Sequence, residues 1–368
     1  RSQRGLFRSE ATMRRVNINY VRPGMRLACP IFTSDGSVLL GCGVELTQRY
    51  IDRLKERGIS NIYIDDELSE GIEVKDVISD ETRIKAKKII KNVAFDIMEN
   101  NKISEAFQIT KIVNQIIDEL LDNNDVLVNL NDMRLMDEYT FGHCVNVCVL
   151  SVMTGIAMGY NQLCLRDLGV GALLHDIGKM KIPSSILNKP GRLTDSEYNE
   201  IKRHTILGFD ILRNCDAISK VSANTALAHH ERCDGTGYPN GLYKDEIHEF
   251  SRIVAIADVY DAITSDRIYR KGLQPHEAVD YLIGMGNTQF DYDIVKVFMS
   301  NISIYPVGSG VVLNTGEKGL VVRANKGFPT RPLVRIIYDR DGRRCKKFEE
   351  IDLIQHPSIF ITSSCNLV

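Results

Sequence analysis

No two cysteines in this sequence are spaced as Cys-x-x-Cys, although nine are present, at positions 29, 42, 144, 148, 164, 215, 233, 345 and 365. An odd number in a chain of 368 residues argues against a secreted disulfide framework. Reduced, mostly buried thiols are expected instead. An excess of charge of one sign is also lacking: 46 basic residues face 48 acidic ones, a net charge of −2. That balance excludes a general polyanion binder, so no nucleic-acid polymer is expected as a partner, but it leaves room for a local basic pocket. No signal peptide is visible, and none is expected. The longest uncharged stretch lies between His143 and Arg166, where Asn146, Ser151, Thr154, Asn161 and Gln162 interrupt it and Gly155 and Gly159 weaken it. It reads as a buried helix, not a membrane span. Repeats and low-complexity tracts are absent. A cytoplasmic location is expected. Composition, at 43% hydrophobic and 26% charged, is that of a globular chain long enough for two or three domains.

Residues 1–12 show no apolar period and are expected to be a leader or tag remnant before Met13. Between 25 and 66, CPIFTSDGSVLL alternates around Asp35-Gly36 as a hairpin does. Thr47 is placed to cap the helix QRYIDRLKER, Gly58 to end it, and NIYI follows as a strand. From Asp80 to Asn123 the pattern is helical and charged, with Ile90, Val93 and Ile97 at three- and four-residue spacing and a break near Glu99-Asn100-Asn101. That stripe suits linker helices, packed within the chain or forming a homodimer seam. Residues 125 to 300 read as almost wholly helical. After Pro306, GVVLNTGEKGLVVRA and PLVRIIYDRDGRRCKKF are strand–turn–strand signals, with Asp341-Gly342 at the second turn.

Five of the eight histidines fall in the helical region. His143 precedes Val147 and Leu150 on an apolar face. His175-Asp176 ends the apolar helix LRDLGVGALLHDIGK, with Gly178 expected to stop it and Lys179 to project from the turn that follows. His204 shares a face with Ile201, Leu207, Gly208 and Ile211. His229 and His230 open HHERCDGTGYPNGL, and Asp258 sits in the mostly apolar RIVAIADVYDAITSDR. Asp261, one turn on, suits a ligand or a group behind one. Each of these, taken alone, fits a hydrogen-bonded core group, and Lys179 alone fits a solvated one. Together they put five imidazoles and two carboxylates into one bundle. Those are ligands for iron, manganese, zinc and similar ions, and they are too many for one four-coordinate structural site. Arg267, Arg270 and Lys271 follow the Asp258 helix, in a run that by itself fits a solvated basic turn.

The ordered set His143, His175-Asp176 with Gly178-Lys179, His204, His229-His230 and Asp258 resembles the HD phosphohydrolase superfamily. HHERCDGTGYPNGL is similar to the signature that names its HD-GYP branch. The resemblance covers roughly residues 125 to 300. It implies a mainly α fold with an HD-type helical bundle core, a small α+β module before it and a small β-rich module after it. The expected boundaries are 13–78 for the α+β module, 79–124 for linker helices, 125–304 for the catalytic domain and 305–368 for the β-rich module.

The resemblance further implies two divalent metals, iron or manganese. His143, His175, Asp176 and Asp258 would hold one; His204, His229 and His230 would hold the other, with Asp176 bridging. It implies cyclic di-GMP as substrate, hydrolysed to linear pGpG by a hydroxide between the metals. Lys179, Arg267 and Arg270 would contact the phosphates, and Tyr238 and Pro239 would lie near the substrate. Some relatives carry a glutamate four residues before the first histidine that helps hold a third metal. Here that place is Tyr139, and Glu138 sits on a face rotated by about 100°. Two metals are therefore expected, with GMP a minor or slow product. The alternatives are a phosphodiesterase for cyclic GMP-AMP or another nucleotide, and a non-catalytic cyclic-dinucleotide-binding module.

Overall fold

The computed structural model describes residues 12–33, 37–123, 126–127, 139–265 and 272–367, without the side chains of 139 and 140. The proposed leader up to residue 11, the Asp35-Gly36 turn, Glu138, the Tyr139 side chain, Arg267, Arg270 and Lys271 lie outside the described residues.

A small module comes first. β1 (Arg14–Asn17) and β2 (Arg26–Leu27) both pair antiparallel with β5 (Asn61–Asp65), which lies between them. β3 (Ile31–Phe32) pairs with β4 (Val38–Leu40), as the alternation predicts. Thr47 accepts the Tyr50 N–H and starts α1 (Gln48–Glu56); Gly58, at φ 75°, follows its end. Ile51 and Leu54 bury the inner face of α1 against Val16, Leu27, Ile62 and Ile64.

α2 (Asp80–Asn100) begins at Ser79, which caps the Thr82 N–H, and ends at Asn101 in the left-handed region. α3 (Ala106–Asp122) runs back beside it. Glu119 of α3 accepts the Ser79 N–H at 2.6 Å and the Thr82 hydroxyl at 2.5 Å, which fastens the start of α2 to α3. Ile90, Val93 and Ile97 are buried in the same core as α3 and the helices that follow. The stripe expected of a linker is thus consumed inside the chain.

The bundle continues through α4 (Tyr139–Ala157), α5 (Gln162–Leu173), α6 (Ser184–Leu187), α7 (Asp195–Lys202), α8 (His204–Arg213), α9 (Lys220–Ala228), α10 (Glu249–Thr264), α11 (Pro275–Gly284) and α12 (Tyr292–Met299). One apolar core joins α2 to α5 with α9 to α12. α5 ends at Leu173, before the expected stop at Gly178, and residues Ile177–Lys181 form a 3-10 turn. Helices α7 and α8 abut at Arg203, so His204 is the first residue of a new helix.

The C-terminal strands β6 (Gly310–Leu313), β7 (Lys318–Arg323), β8 (Leu333–Tyr338), β9 (Arg344–Asp352) and β10 (Ile361–Cys365) make one antiparallel sheet in the order β10-β6-β7-β8-β9. Gly342, at φ 77°, lies in the turn between β8 and β9. The two flanking modules meet, which periodicity along the chain does not reveal. Buried Arg14 pairs with Asp66 at 2.7 Å and donates to the Leu367 carbonyl at 2.6 Å. Leu68 and Ile72 pack with Leu320, Ile337 and Leu367.

Candidate metal centre

Three helix ends and two helix interiors converge on one buried point. His143 comes from α4, Asp258 from α10, and His175 and Asp176 from the turn after α5. His204 starts α8, and His229 and His230 follow α9. All seven predicted residues are brought together, in two groups: Asp176, His204, His229 and His230, and His143, His175 and Asp258. His248, by contrast, caps α10, and His276 stacks on Tyr305.

Asp176 stands between the groups, with one oxygen toward each. Its Oδ2 is 3.4 Å from His175 Nε2 and 3.9 Å from His143 Nε2. Its Oδ1 is 3.4 Å from His204 Nε2 and 3.8 Å from His229 Nε2. Asp258 Oδ1 lies 3.0 Å from His143 Nε2 and 4.0 Å from His175 Nε2. Ligand atoms about 2.1 Å from one ion stand roughly 3.0–3.5 Å apart, so these spacings are close to the edges of a coordination polyhedron.

The outer nitrogens show which atoms face inward. His175 Nδ1 meets the Ala172 carbonyl at 2.7 Å, His204 Nδ1 that of Ile201 at 2.7 Å, and His229 Nδ1 that of Ala226 at 2.9 Å. A carbonyl only accepts, so each Nδ1 carries the hydrogen and each neutral ring presents the Nε2 lone pair to the centre. The His204 and His229 Nε2 atoms face each other at 3.4 Å. Two lone pairs so placed repel; a cation between them reverses the sign. His175 Nε2 and Asp176 Oδ1 are also buried, with no hydrogen-bond partner among the described residues. These residues fit a divalent cation bound by nitrogen and oxygen.

The electrostatics fit ligation at His204, His229 and His230. Burial pulls His204 down, His229 well below the usual imidazole range and His230 down to about 3, which holds all three in the neutral form that ligates. Burial opposes ionisation of Asp176 and Asp258. Lys179 and His175 nevertheless hold Asp176 well below the carboxylate range, and His143 does the same for Asp258. Burial also opposes charging His143, but hydrogen bonds to Asp258 and Asp261 push it up to about 10. Lys179 Nζ sits 2.5 Å from Asp176 Oδ2, and that ion pair raises the ammonium against its own burial. It is not a solvated lysine.

The loop HHERCDGTGYPNGL closes one side. His230 stacks on Tyr238, with ring centroids 4.7 Å apart, and Pro239 follows across a cis bond. Glu231 is not a ligand: its carboxylate accepts the Asn240 N–H at 2.7 Å and the Leu242 N–H at 3.0 Å, which pins the far arm of the loop. A Cβ on Gly237 would come 2.5 Å from the Glu231 Cα, so only glycine lets the two arms lie this close.

Sequence reasoning missed three polar residues. Lys202 lies over the rings of Tyr198 and Tyr238, 4.7 and 5.5 Å from their centroids. Asn146 donates to Asp261 at 2.8 Å, and Arg83 donates to Asn146 at 2.9 Å. Asn146 is three residues after His143 on α4, a spacing that puts both on one face and was the available signal. Asp261 sits behind the cluster: its Oδ2 holds His143 Nδ1 at 2.7 Å.

Residues 115–294 match the profile of the HD domain. Over that stretch the chain is similar to HD domains. Residues 310–367 match a KOW domain described as associated with the HD domain. The chain resembles a cyclic di-GMP phosphodiesterase of Pseudomonas aeruginosa, with 39% identity over 227 residues, 62% of this chain and 55% of that protein. A cyclic di-GMP phosphodiesterase of Thermotoga maritima is 34% identical over 226 residues, 59% of this chain and 61% of that protein. A 3'3'-cGAMP-specific phosphodiesterase of Vibrio cholerae is 33% identical over 168 residues, 46% of this chain and 36% of that protein. The chain spans less than two thirds of the length of these relatives. Among the described residues, no helix is long and apolar enough to cross a membrane.

Proposed function

We propose that the HD domain holds two divalent metal ions and hydrolyses a phosphodiester of cyclic di-GMP, giving linear pGpG as the main product. The observation that carries this reading is the division of Asp176, one oxygen toward each histidine group. Iron and manganese suit the mixed imidazole and carboxylate set. One ion would be held by His143, His175, Asp176 and Asp258, the other by Asp176, His204, His229 and His230. Such a pair, when bound, polarises phosphate oxygens and lowers the pKa of water between the ions.

The remaining roles belong to the chain. The backbone carbonyls on His175, His204 and His229 hold each ring in one tautomer, so no reorientation is needed on metal binding. Lys179, paired with Asp176, adds a fixed positive charge at the edge of the cluster, where charge builds up on the phosphate. Tyr238, stacked on His230, offers a flat surface beside the centre for a base or ribose, with Pro239 continuing the wall. Arg267 and Arg270 are proposed phosphate contacts on the resemblance alone. A homodimer seam along α2 and α3 would use Phe95, Met98 and Phe107, which are exposed.

The test is metal content per chain after anaerobic purification, with cyclic di-GMP turnover followed on the same sample. Two ions per chain and release of pGpG are expected. Two ions with no cleavage would sink the catalytic part of the proposal, and no ion after reconstitution with iron and manganese would sink all of it. Cyclic GMP-AMP is the second substrate to compete in that assay, because a relative specific for it matches this chain. Lys179→Met is expected to retain both ions while lowering kcat by about a hundredfold, or about 2.7 kcal/mol. Unchanged kinetics would leave Lys179 only the partner of Asp176.

A further inference from the structure

A line of buried polar contacts leaves the metal cluster and ends on a helix outside the HD match. Asp261 Oδ2 holds His143 Nδ1 at 2.7 Å, and its Oδ1 accepts the Asn146 amide nitrogen at 2.8 Å. The Asn146 amide oxygen accepts Arg83 Nη1 at 2.9 Å, and Arg83 Nη2 pairs with Asp76 at 3.0 Å. Arg83, Asn146 and Asp261 are all buried, whereas Asp76 is 42% exposed. Arg83 belongs to α2, and Asp76 to the segment just before it; neither lies within residues 115–294.

We propose that Arg83 is a positioning residue for the metal position formed by His143, His175 and Asp258, acting through Asn146 and Asp261. The inference rests on the two-metal reading above. A guanidinium only donates, so it takes the amide oxygen of Asn146 and turns the amide nitrogen toward Asp261. That nitrogen occupies one carboxylate oxygen of Asp261 and leaves the other for His143. The ring of His143 is then fixed in rotation, with Nε2 toward Asp258 and Asp176. His175, His204 and His229 take this support from backbone carbonyls three residues back, whereas His143 receives it from a side chain. The order of the segment around Asp76 and Arg83 therefore sets how well one metal position is formed, and hardly touches the other.

The test is titration of the metal-free full chain with Mn²⁺ by calorimetry, comparing wild type, Arg83→Met, Arg83→Lys and Ile90→Ala. Methionine keeps the buried stem of Arg83 and removes its donors. Ile90→Ala loosens the same helix without touching the polar line. Two binding steps are expected in wild type. In Arg83→Met one step is expected to weaken about tenfold, the size seen when groups behind a ligand are removed, while the other stays within about threefold. Arg83→Lys, which cannot span Asp76 and Asn146 with one ammonium, is expected to recover only part of the loss. Both steps unchanged in Arg83→Met, or both weakened alike as a softened helix would do in Ile90→Ala, would overturn the proposal. A wild-type chain that binds no Mn²⁺ would instead overturn the two-metal reading itself.

Discussion

Replacing Asp176 by alanine is expected to empty both halves of the cluster and to lower turnover at least about a thousandfold, or about 4 kcal/mol of barrier. Its carboxylate has an oxygen toward each histidine set: Oδ2 faces His175 and His143, Oδ1 faces His204 and His229. The contrast with Asp258→Ala makes the prediction specific. Asp258 stands beside His143 and His175, so its loss is expected to weaken one metal step and spare much of the other. Asp176→Ala also leaves Lys179 without the partner that raises its pKa, in a place where burial disfavours the ammonium. The fold should persist, because the core around α4, α5, α9 and α10 is apolar and does not depend on this carboxylate. Metal analysis and circular dichroism on the same preparation check both halves of the claim. An Asp176→Ala protein that is fully loaded and active would remove the basis of the two-metal assignment.

How much of this could be read in advance depended on whether a residue's partner was local. Thr47 before α1, Gly58 after it and the break at Asn101 are set by neighbours within a turn, and each is where the sequence puts it. The seven candidate ligands were legible because imidazoles and carboxylates at apolar helical positions demand a reason. Their roles were less so. Glu231, adjacent to two histidines, has the chemistry of a ligand and instead holds backbone amides of its own loop. Asn146 and Arg83 are 63 residues apart and meet only because α2 packs on α4, a long-range fact that no window of sequence contains. The same holds for the Ile90, Val93 and Ile97 stripe: periodicity says that it is buried, and only the packing says that the bundle itself buries it. The end of α5 at Leu173 is a third case. Gly178 is needed for proximity to α8 and does not stop the helix.

That proximity leads to the second large effect. Gly178 is where the turn carrying Asp176 and Lys179 touches α8. A Cβ built there would overlap the His204 carbonyl oxygen and lie 2.5 Å from the Gly208 nitrogen. Both are backbone atoms, so no side chain can swing aside, and the turn and the helix must separate. Separation moves Asp176 Oδ1 away from His204 Nε2, which now lie 3.4 Å apart. Gly178→Ala is therefore expected to cost about 2 kcal/mol in stability, within the range for overpacked sites, and to lower Tm by about 4–8 °C. It should also weaken metal binding at the His204, His229 and His230 side. Gly208→Ala supplies the comparison, because a Cβ there would meet its nearest atom, the Gly178 nitrogen, at 3.3 Å, a contact relieved by a few tenths of an ångström. A smaller fall in Tm and near-normal metal binding are expected for it. If the two alanine variants behave alike, the close approach of the Asp176 turn to α8 is not what sets the geometry of that metal position. If Gly178→Ala loses the His204-side ion while the His143 side still binds, then one missing side chain accounts for the glycine between the two chemical residues of His-Asp-Ile-Gly-Lys.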